Sequence, residues 1–455
     1  MPPRVLQLIV VDDSTIKTFF IDSLGCAKNT VDSHAITRIL LKAGFQQAHA
    51  PENSDVIIVN TCGFIQPAFD ESVQTLKEYA QKKREHQYLI AAGCLTEREK
   101  RRIGERVEGI DAAMSTRRWS DILHVLSRIE SAEEQKYYFF PKTDHILSGP
   151  EDIPRIAVQG GSAYVKIADG CDRKCAYCTI PLIKGPMVSR KPDHIISDVQ
   201  TAAAEGAKEI ILIAQDTTAY GRDLGYEDGI SALLKDLVKI DIDIDWIRLM
   251  YTFPGSISEQ LIELMAREEK ILPYLDIPLQ HAHPEVLQRM GRPSNMEDVR
   301  DTILKFRNAM PQLALRTTFI IGFPGETDDE LNTVGELLWE IGFDHVGFFP
   351  YSHEEGAPAY AQEDTISTAE KEARIQYLAG LQQEISLKKN KSFIGEELTV
   401  LIEGNGDDVS VGRSYRDAPE IDGLVFVQGI HPVGDFVRTK ITGAMIHDLI
   451  GDSIL

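Results

Sequence analysis

Residues 171–178 read Cys171-Asp-Arg-Lys-Cys175-Ala-Tyr-Cys178, in which three cysteines have the spacing C-x3-C-x2-C. Three thiolates so close in sequence can bind three irons of a four-iron cluster and leave the fourth iron without a protein ligand. Such an open iron can take a substrate or a cofactor. Two alternatives stay open at this point: a structural zinc site, which needs a fourth ligand such as histidine, and three incidental thiols.

The sequence around this motif has the pattern of a barrel of parallel strands. Strand-like runs occupy 163–168, 209–214, 246–251, 274–277, 315–321 and 345–349. Helical stretches follow at 193–204, 230–238, 258–266, 296–309, 327–341 and 368–390. Six β/α units predict a partial or full TIM-type (β/α) barrel whose chemistry lies in the loops after the strands. The cysteine motif lies in the first of these loops.

Three further cysteines occur in the first third of the chain, each beside a glycine: Cys26, Cys62 and Cys94. They follow predicted strands at 19–24, 55–60 and 88–92, and Thr96 is the predicted N-cap of the helix after the third. In an open parallel, Rossmann-like α/β sheet the carboxyl ends of strands share one edge, and glycine lets the backbone approach a bulky cluster. We predict a second cluster here; the alternative is three buried structural cysteines.

In the last part of the chain, apolar residues no longer recur at helical spacing. Short strands at 397–403, 423–428 and 435–443, with Gly and Pro between them, predict a small five-stranded, OB-like antiparallel barrel. The predicted organisation is therefore an N-terminal extension, a cluster domain, a barrel and a small β-barrel, at 1–17, 18–148, 149–390 and 391–455.

Hydrophobic content and net charge limit the classes of protein and of partner that the chain is compatible with. The 455 residues include 43% hydrophobic residues, and 48 basic against 70 acidic residues give a net charge of −22. We expect a soluble, cytoplasmic protein, because no apolar run approaches the roughly 18 residues of a membrane span. A negative surface repels nucleic acid and anionic membrane, so it favours a basic partner.

The 171–178 motif, with the aromatic Tyr177 before its last cysteine, resembles the signature of the radical S-adenosylmethionine (SAM) enzymes. The resemblance implies that the open iron binds SAM, and that one electron from a donor such as flavodoxin or ferredoxin cleaves it to a 5′-deoxyadenosyl radical. It also implies that Gln215, Asp216 and Glu326, in loops after the second and fifth barrel strands, lie near the SAM pocket.

Two three-cysteine sets ahead of a small β-barrel resemble the methylthiotransferases, whose domain order ends in a TRAM domain. The resemblance implies that the Cys171/Cys175/Cys178 4Fe-4S cluster makes the radical. The Cys26/Cys62/Cys94 4Fe-4S cluster then holds the methylated sulfur, a second SAM supplies the methyl group, and a sulfur source is needed. No catalytic residue beyond the cluster ligands is assigned, and a monomer is expected.

Within that family one branch modifies tRNA adenosine and another the β-carbon of an aspartate in small-subunit ribosomal protein twelve. Stretches 29–33, 60–65, 272–281 and 414–423 are similar to the second branch. Residues 391–455 carry five basic and eleven acidic residues, a net charge of −6, which suits a Lys/Arg-rich protein better than phosphates. The alternatives are a generally acidic surface, a tRNA-modifying enzyme and a non-enzymatic iron–sulfur carrier.

A few positions depart from the family pattern. Lys184 stands where the family has arginine, and Ala27 follows Cys26 where proline or serine is common; neither is expected to touch a ligand. Residues 1–17 match nothing in the family. His281 and His283 stay outside the predicted ligand set, because loop histidines are more often hydrogen-bonded than catalytic.

Overall fold

The computed structural model describes residues 15–131, 136–143 and 145–454, so most of the predicted extension 1–17 lies outside the described residues. The chain divides into two compact units. The first unit contains the residues up to Ala157 together with 169–173 and 179–190. The second contains 158–168, 174–178 and everything from Lys191 onwards.

The first unit is built on a sheet of six parallel strands in the order β2-β1-β3-β4-β5-β6. The strands are β1 Thr18–Ser23, β2 Gln46–Gln47, β3 Val56–Thr61, β4 Tyr88–Gly93, β5 Ala112–Met114 and β6 Tyr137–Phe139. The helices are α1 Ala27–Lys42, α2 Gln66–Lys82, α3 Cys94–Glu99, α4 Ile103–Arg106 and α5 Ile122–Glu130. The predicted open parallel α/β domain is confirmed.

The central strand explains why this sheet forms. All six residues of β3 are buried, as expected for a parallel strand covered on both faces. Ile58 packs into the core on one face, whereas Ile57 and Val59 pack into the core on the other, following the two-residue period of a strand. Register pairs Ser23 with Asn60 and Thr61 with Gly93, so β1, β3 and β4 end side by side.

One detail of the prediction is wrong: α3 begins at Cys94 rather than after Thr96. Gly93 has φ of +94°, and a Cβ there would lie 2.3 Å from the Thr61 carbonyl oxygen, so glycine lets the chain turn at once. The Thr96 hydroxyl donates instead to the carbonyls of Gly93 (2.8 Å) and Met114 (2.6 Å). Cys94 therefore sits directly at the strand end.

The next strands include the predicted barrel. They are β7 Ile156–Gln159, β8 Ser162–Lys166, β9 Ala168–Asp169, β10 Val188–Ser189, β11 Glu209–Ile213, β12 Trp246–Leu249, β13 Tyr274–Asp276, β14 Ala314–Ile321 and β15 His345–Pro350. The helices are α6 Ile180–Ile183, α7 Pro192–Ala204, α8 Gly229–Leu237, α9 Glu259–Arg267, α10 Pro284–Arg289, α11 Met296–Ala309, α12 Asp328–Ile341 and α13 Thr368–Ser392.

In the second unit, parallel strands form the ladders β8-β11-β12 and β13-β14-β15. A parallel bridge between Ile247 and Ile271 connects the two ladders. Six barrel strands rather than eight make this a partial barrel, and all six lie where the sequence predicts them.

The C-terminal domain is a closed five-stranded barrel in the order β16-β17-β18-β20-β19. Its strands are β16 Glu397–Asn405, β17 Val409–Arg413, β18 Val425–Gln428, β19 Phe436–Ala444 and β20 Leu449–Ser453. The predicted small barrel is confirmed, although β17 and β20 were not individually predicted and β18 pairs with β20 in parallel.

A buried ion-pair cluster joins the partial barrel to the C-terminal barrel within the second unit. Glu209 at the start of β11 accepts hydrogen bonds from Arg248 Nε (2.7 Å) and Arg413 Nη2 (2.6 Å), and all three side chains are fully buried. Burial by itself would raise the pKa of Glu209, but the charges and hydrogen bonds of Arg413 and Arg248 lower it to about 2. Glu209 is therefore ionised wherever the protein is folded at ordinary pH.

The segment 414–423 is also held against the partial barrel by buried polar contacts. Arg416 Nη2 lies 3.1 Å from Asp344 Oδ1, and the Tyr274 hydroxyl donates to Asp422 Oδ2 at 2.6 Å. Asp422 Oδ1 is 3.3 Å from Arg316 Nε. This stretch, which is similar to the ribosomal-protein branch in sequence, thus connects the C-terminal barrel to the partial barrel in this chain.

We expect Glu209→Gln to lower the free energy of unfolding by about 3–5 kcal/mol, because two buried arginines would lose their partner. Since folding lowers the pKa of Glu209 from its ordinary value near 4.5 to about 2, its contribution is present above pH 4.5 and lost as pH falls towards 2. Thermal unfolding followed by calorimetry between pH 7 and pH 3 measures both effects.

Glu259→Gln is the matched control. It removes an ion pair with Lys305 whose two side chains are 77% and 56% exposed, so no measurable loss of stability is expected. Equal stability losses in the two variants would contradict a special contribution of the buried cluster.

Candidate iron–sulfur centres

Cys26, Cys62 and Cys94 lie just beyond the ends of the neighbouring strands β1, β3 and β4. Cys26 is exposed, whereas Cys62 and Cys94 are buried. Burial raises the pKa of Cys62 and raises that of Cys94 to about 12, and the charge of Cys26 raises both further. The three thiols therefore lie close enough to act on one another, as the sequence predicts.

Asn29 ties these three strand ends together. Its Nδ2 donates to the carbonyls of Leu24 (2.8 Å) and Thr61 (3.0 Å), which lie beside Cys26 and Cys62, and its Oδ1 lies 3.8 Å from Cys94 Sγ. Asn60 Nδ2 in turn donates to the Asn29 carbonyl at 2.9 Å. Asn29 and Asn60, one from each of the stretches 29–33 and 60–65, thus form a buried hydrogen-bond network beside the cysteines.

Two further contacts fit this site to a bulky group. A Cβ on Gly25, which has φ of +91°, would lie 2.7 Å from Cys62 Cβ and 2.9 Å from Cys62 Sγ. Ser72 of α2 accepts from the Cys62 N–H (2.9 Å) and donates to the Cys62 carbonyl (2.7 Å). Ser72 holds the Cys62 backbone and Gly25 leaves the space beside the Cys62 thiol clear of a side chain, which suits a three-thiolate cluster.

Lys184 has a part in this site that the sequence does not predict. It follows α6, which packs against α3, and its Nζ lies 3.2 Å from Asp32 and 2.8 Å from Thr116 Oγ1. Its charge lowers the pKa of Cys94 against the larger opposing effect of burial. The residue in the family's arginine position therefore acts electrostatically on a predicted ligand.

The C-x3-C-x2-C motif is shared between the units, with Cys171 in the first and Cys175 and Cys178 in the second. In the first unit, the Cys171 N–H donates to the Gly185 carbonyl at 3.1 Å. In the second, burial and the neighbouring Cys175 and Cys178 raise the pKa of Tyr177 well above its ordinary value and the Arg292 charge opposes this, so these groups are close neighbours.

The second-unit part of the motif rests on a small apolar cluster. Ala176 packs with Met290, Phe323 and Tyr351, which come from segments after three different barrel strands. The Ala176 N–H donates to the Met290 carbonyl at 2.8 Å, and the Ala176 carbonyl accepts from the Ala359 N–H at 2.7 Å. The loop is therefore anchored on both sides to the partial barrel.

The three residues predicted near the SAM pocket have different surroundings. Gln215, after β11, is the one with an orphaned group, because its buried Oε1 has no hydrogen-bond partner among the described residues. Asp216 Oδ1 instead accepts from Thr218 Oγ1 (2.5 Å) and the Ala219 N–H (3.2 Å) and caps the following turn.

The Glu326 carboxylate is occupied by protein contacts. It accepts from the Gly322 N–H (2.9 Å) and Arg374 Nη1 (2.8 Å), and Oε2 lies 3.4 Å from His281 Nε2. Burial opposes ionisation, but the His281 and Arg374 contacts lower the pKa of Glu326. Gln215 thus keeps a buried acceptor without a partner among the described residues, while Glu326 closes the loop after β14.

Other residues near the strand ends were missed from the sequence. Tyr251 and Gln280 have φ of +60° and +75°, conformations that non-glycine residues seldom adopt and that cluster at functional sites. Arg292 Nη1 lies 3.8 Å from Cys175 Sγ. Gln280 lies in the stretch 272–281 that resembles the ribosomal-protein branch, but nothing in the sequence marks it or Tyr251 as strained. Arg292 lies in a Gly-Arg-Pro turn that is typical of an ordinary loop.

Three family descriptions match successive parts of the chain. Residues 18–115 match uncharacterized protein family UPF0004, residues 165–338 the Radical SAM superfamily and residues 394–454 the TRAM domain. Proteins named ribosomal protein uS12 methylthiotransferase RimO are 43% identical in Roseiflexus sp. strain RS-1 and 41% in Thermoanaerobacter sp. strain X514. Each alignment covers 96% of this chain, and 97% and 100% of the two relatives.

The chain belongs to the ribosomal protein uS12 methylthiotransferase family. It is a radical SAM enzyme, and the expectation of 4Fe-4S clusters and SAM as cofactors is confirmed at the level of the family. The residues that bind them stay predictions.

The fold has solved counterparts at low sequence identity. A radical SAM methyltransferase, TsrM from Kitasatospora setae, matches with a TM-score of 0.55 at 14% identity, over 73% of this chain and 71% of that one. That likeness supports the fold alone. Among the described residues, no helix has both the length and the apolar character needed to cross a membrane.

We expect Gly25→Ala to reduce the iron bound at the Cys26/Cys62/Cys94 site, because the new methyl group would occupy space now bordered by Cys62. After anaerobic reconstitution, iron and sulfide analysis should give about half the content of the unsubstituted protein, with the 171–178 site still loaded.

Gly206→Ala is the control. Gly206 has φ of +97°, so it imposes similar backbone strain, but no atom lies within 4 Å of its Cβ position. Full iron content in Gly25→Ala would contradict the predicted site.

Proposed function

We propose that this enzyme inserts a methylthio group into the β-carbon C–H bond of an aspartate of ribosomal protein uS12. Cys171, Cys175 and Cys178 would bind the cluster that reductively cleaves SAM, and Cys26, Cys62 and Cys94 the cluster that carries the sulfur. The proposal includes the domain limits 1–17, 18–148, 149–390 and 391–455. It rests above all on two three-cysteine sets in a chain of this family.

The bound clusters and SAM supply a carbon-centred radical and a methylated sulfur. The protein contributes thiolate ligands, the space around them and their charge environment. At the first-unit site, Asn29 and Ser72 hold the backbone beside the ligands, while Lys184 supplies a buried positive charge. The Lys184 charge lowers the pKa of Cys94, but burial outweighs it and the pKa stays raised to about 12.

Gln215 would bind SAM through its side-chain amide. Its Oε1 is a buried acceptor without a partner among the described residues, and a buried polar atom left in that state costs free energy until a ligand donor satisfies it. Asp216 would support this contact by capping the turn that follows, and Glu326 by fixing the loop after β14.

The charge of the C-terminal barrel supports a basic protein substrate. Two of its five basic residues, Arg413 and Arg416, are buried in ion pairs to the partial barrel. Among its described residues, the exposed bases are Lys391, Arg438 and Lys440. The exposed acids are Glu396, Glu397, Asp407, Asp408, Glu420, Asp435 and Asp452. Such a surface attracts a Lys/Arg-rich partner and repels RNA phosphates.

The proposal also covers the oligomeric state, the cellular location, the electron donor and the sulfur source. We infer a monomer in the cytoplasm that takes electrons from a flavodoxin or ferredoxin and sulfur from an external source. A tRNA adenosine methylthiotransferase would use the same chemistry, and a non-enzymatic iron–sulfur carrier would not cleave SAM.

The direct test is anaerobic incubation of the reconstituted enzyme with SAM, a reductant, ribosomal protein uS12 and bulk tRNA, followed by mass spectrometry. We expect one CH3S group in place of one hydrogen on an aspartyl peptide and no change in tRNA. The same gain on adenosine would replace the proposed substrate by tRNA, and intact SAM would favour a carrier.

Single-cysteine variants separate the two sites. Cys175→Ala should abolish SAM cleavage while iron remains at the first-unit site, because Cys171, Cys175 and Cys178 would hold the cluster that supplies the electron for cleavage. Cys62→Ala should keep SAM cleavage and stop sulfur insertion. Methylthiolation by Cys62→Ala at the unsubstituted rate would remove the first-unit cysteines from the reaction.

A further inference from the structure

Arg292 lies against the 171–178 loop in the second unit, held from three directions. Its Nη1 is 3.8 Å from Cys175 Sγ, and its Nη2 donates to the Pro278 carbonyl. The guanidinium carbon lies 4.0 Å from the centroid of the Phe253 ring, a stacked cation–π arrangement. The side chain is 9% exposed, so this charge is largely screened from water by protein.

The backbone of the same turn is fastened to the cysteine loop. The Met290 carbonyl accepts from the Ala176 N–H, and Gly291 packs so closely that a Cβ would lie 2.6 Å from the Lys174 carbonyl oxygen. The Arg292 N–H donates to the Leu287 carbonyl at 2.8 Å and ends α10. The guanidinium therefore has a fixed position relative to Cys175.

The Nε–H group of Arg292 is a further donor that bears on its role. Arg292 Nε is buried without a hydrogen-bond partner among the described residues. A buried guanidinium is costly unless an anion compensates it, and the described contacts supply one carbonyl and one sulfur. A thiolate at Cys175, such as cluster binding creates, would provide that compensation.

We propose that Arg292 is a positioning residue that donates an N–H···S hydrogen bond to the Cys175 thiolate and raises the reduction potential of the 171–178 cluster. Hydrogen bonds and positive charge at the ligand sulfurs stabilise the reduced, more negative form of an iron–sulfur cluster. Arg292 therefore favours uptake of the one electron, from an external reductant, that precedes SAM cleavage. This inference rests on the proposed ligand role of Cys175.

The test uses the full chain carrying Cys26→Ala, Cys62→Ala and Cys94→Ala, so that one cluster contributes to the signal. A dithionite titration with redox mediators, followed by electron paramagnetic resonance, gives the midpoint potential. Arg292→Gln should lower the ratio of reduced to oxidised cluster at a fixed potential about tenfold, which is 59 mV for one electron. Arg292→Lys keeps the charge but not the planar fork. Its cluster should therefore have a midpoint potential between that of the parent and that of Arg292→Gln.

Arg289→Gln is the matched control. Arg289 lies on α10, three residues before Arg292, and pairs with Glu330 at 2.9 Å, so its loss should leave the potential unchanged. Full iron content with an unchanged potential in Arg292→Gln would overturn the inference. Absence of iron from the parent itself would instead refute the proposed ligand role of the 171–178 cysteines.

A second measurement does not depend on whether the Arg292→Gln variant folds and binds iron. In the parent labelled with guanidino-15N arginine, pulsed electron paramagnetic resonance of the reduced cluster should detect a 15N coupling. That coupling should persist in Arg289→Gln and disappear in Arg292→Lys. No coupling in the loaded, reduced parent would overturn the proposed hydrogen bond even if Arg292→Gln failed to bind iron.

Discussion

The first-unit site depends on the register of three parallel strands. Because β1, β3 and β4 are neighbours and end level with one another, three cysteines separated by more than thirty residues each come to one edge. A parallel sheet alone would leave their backbones with unpaired polar groups at that edge. The Asn29 amide satisfies two of them and faces Cys94, so one side chain connects all three strand ends.

A second constraint holds the C-terminal barrel to the partial barrel through charge rather than apolar packing alone. Glu209 lies between two arginines, and Asp344 and Asp422 each receive another from the neighbouring domain. Buried pairs of this kind contribute little beyond an apolar contact of equal size, but they are costly to mismatch. They therefore specify one docking geometry, and they explain why the polar residues Arg416 and Asp417 of the 414–423 segment lie buried rather than on the surface.

The sequence predicted the elements well because each β/α unit combines a short apolar run with a longer stretch of helical period. All six barrel strands and the three cysteine-bearing strands of the first unit were found within a few residues. Thr96 was misassigned because a threonine with helical residues after it resembles an N-cap, whereas the Gly93 turn starts the helix earlier. The sequence could not reveal that Glu326 is occupied by Arg374, since 48 positions separate the two residues.

The same limit applies to the charges around the cysteines. An acidic chain of net charge −22 has a buried cation at each cysteine set, Lys184 near Cys94 and Arg292 near Cys175. Neither cation is adjacent in sequence to the cysteine that it affects, so spacing rules for cysteines do not find them. Burial of a thiolate is unfavourable without positive charge nearby, so a cation beside a buried cysteine suits the predicted ligand role. Lys184 and Arg292 therefore bring positive charge to the predicted ligand cysteines from distant parts of the sequence.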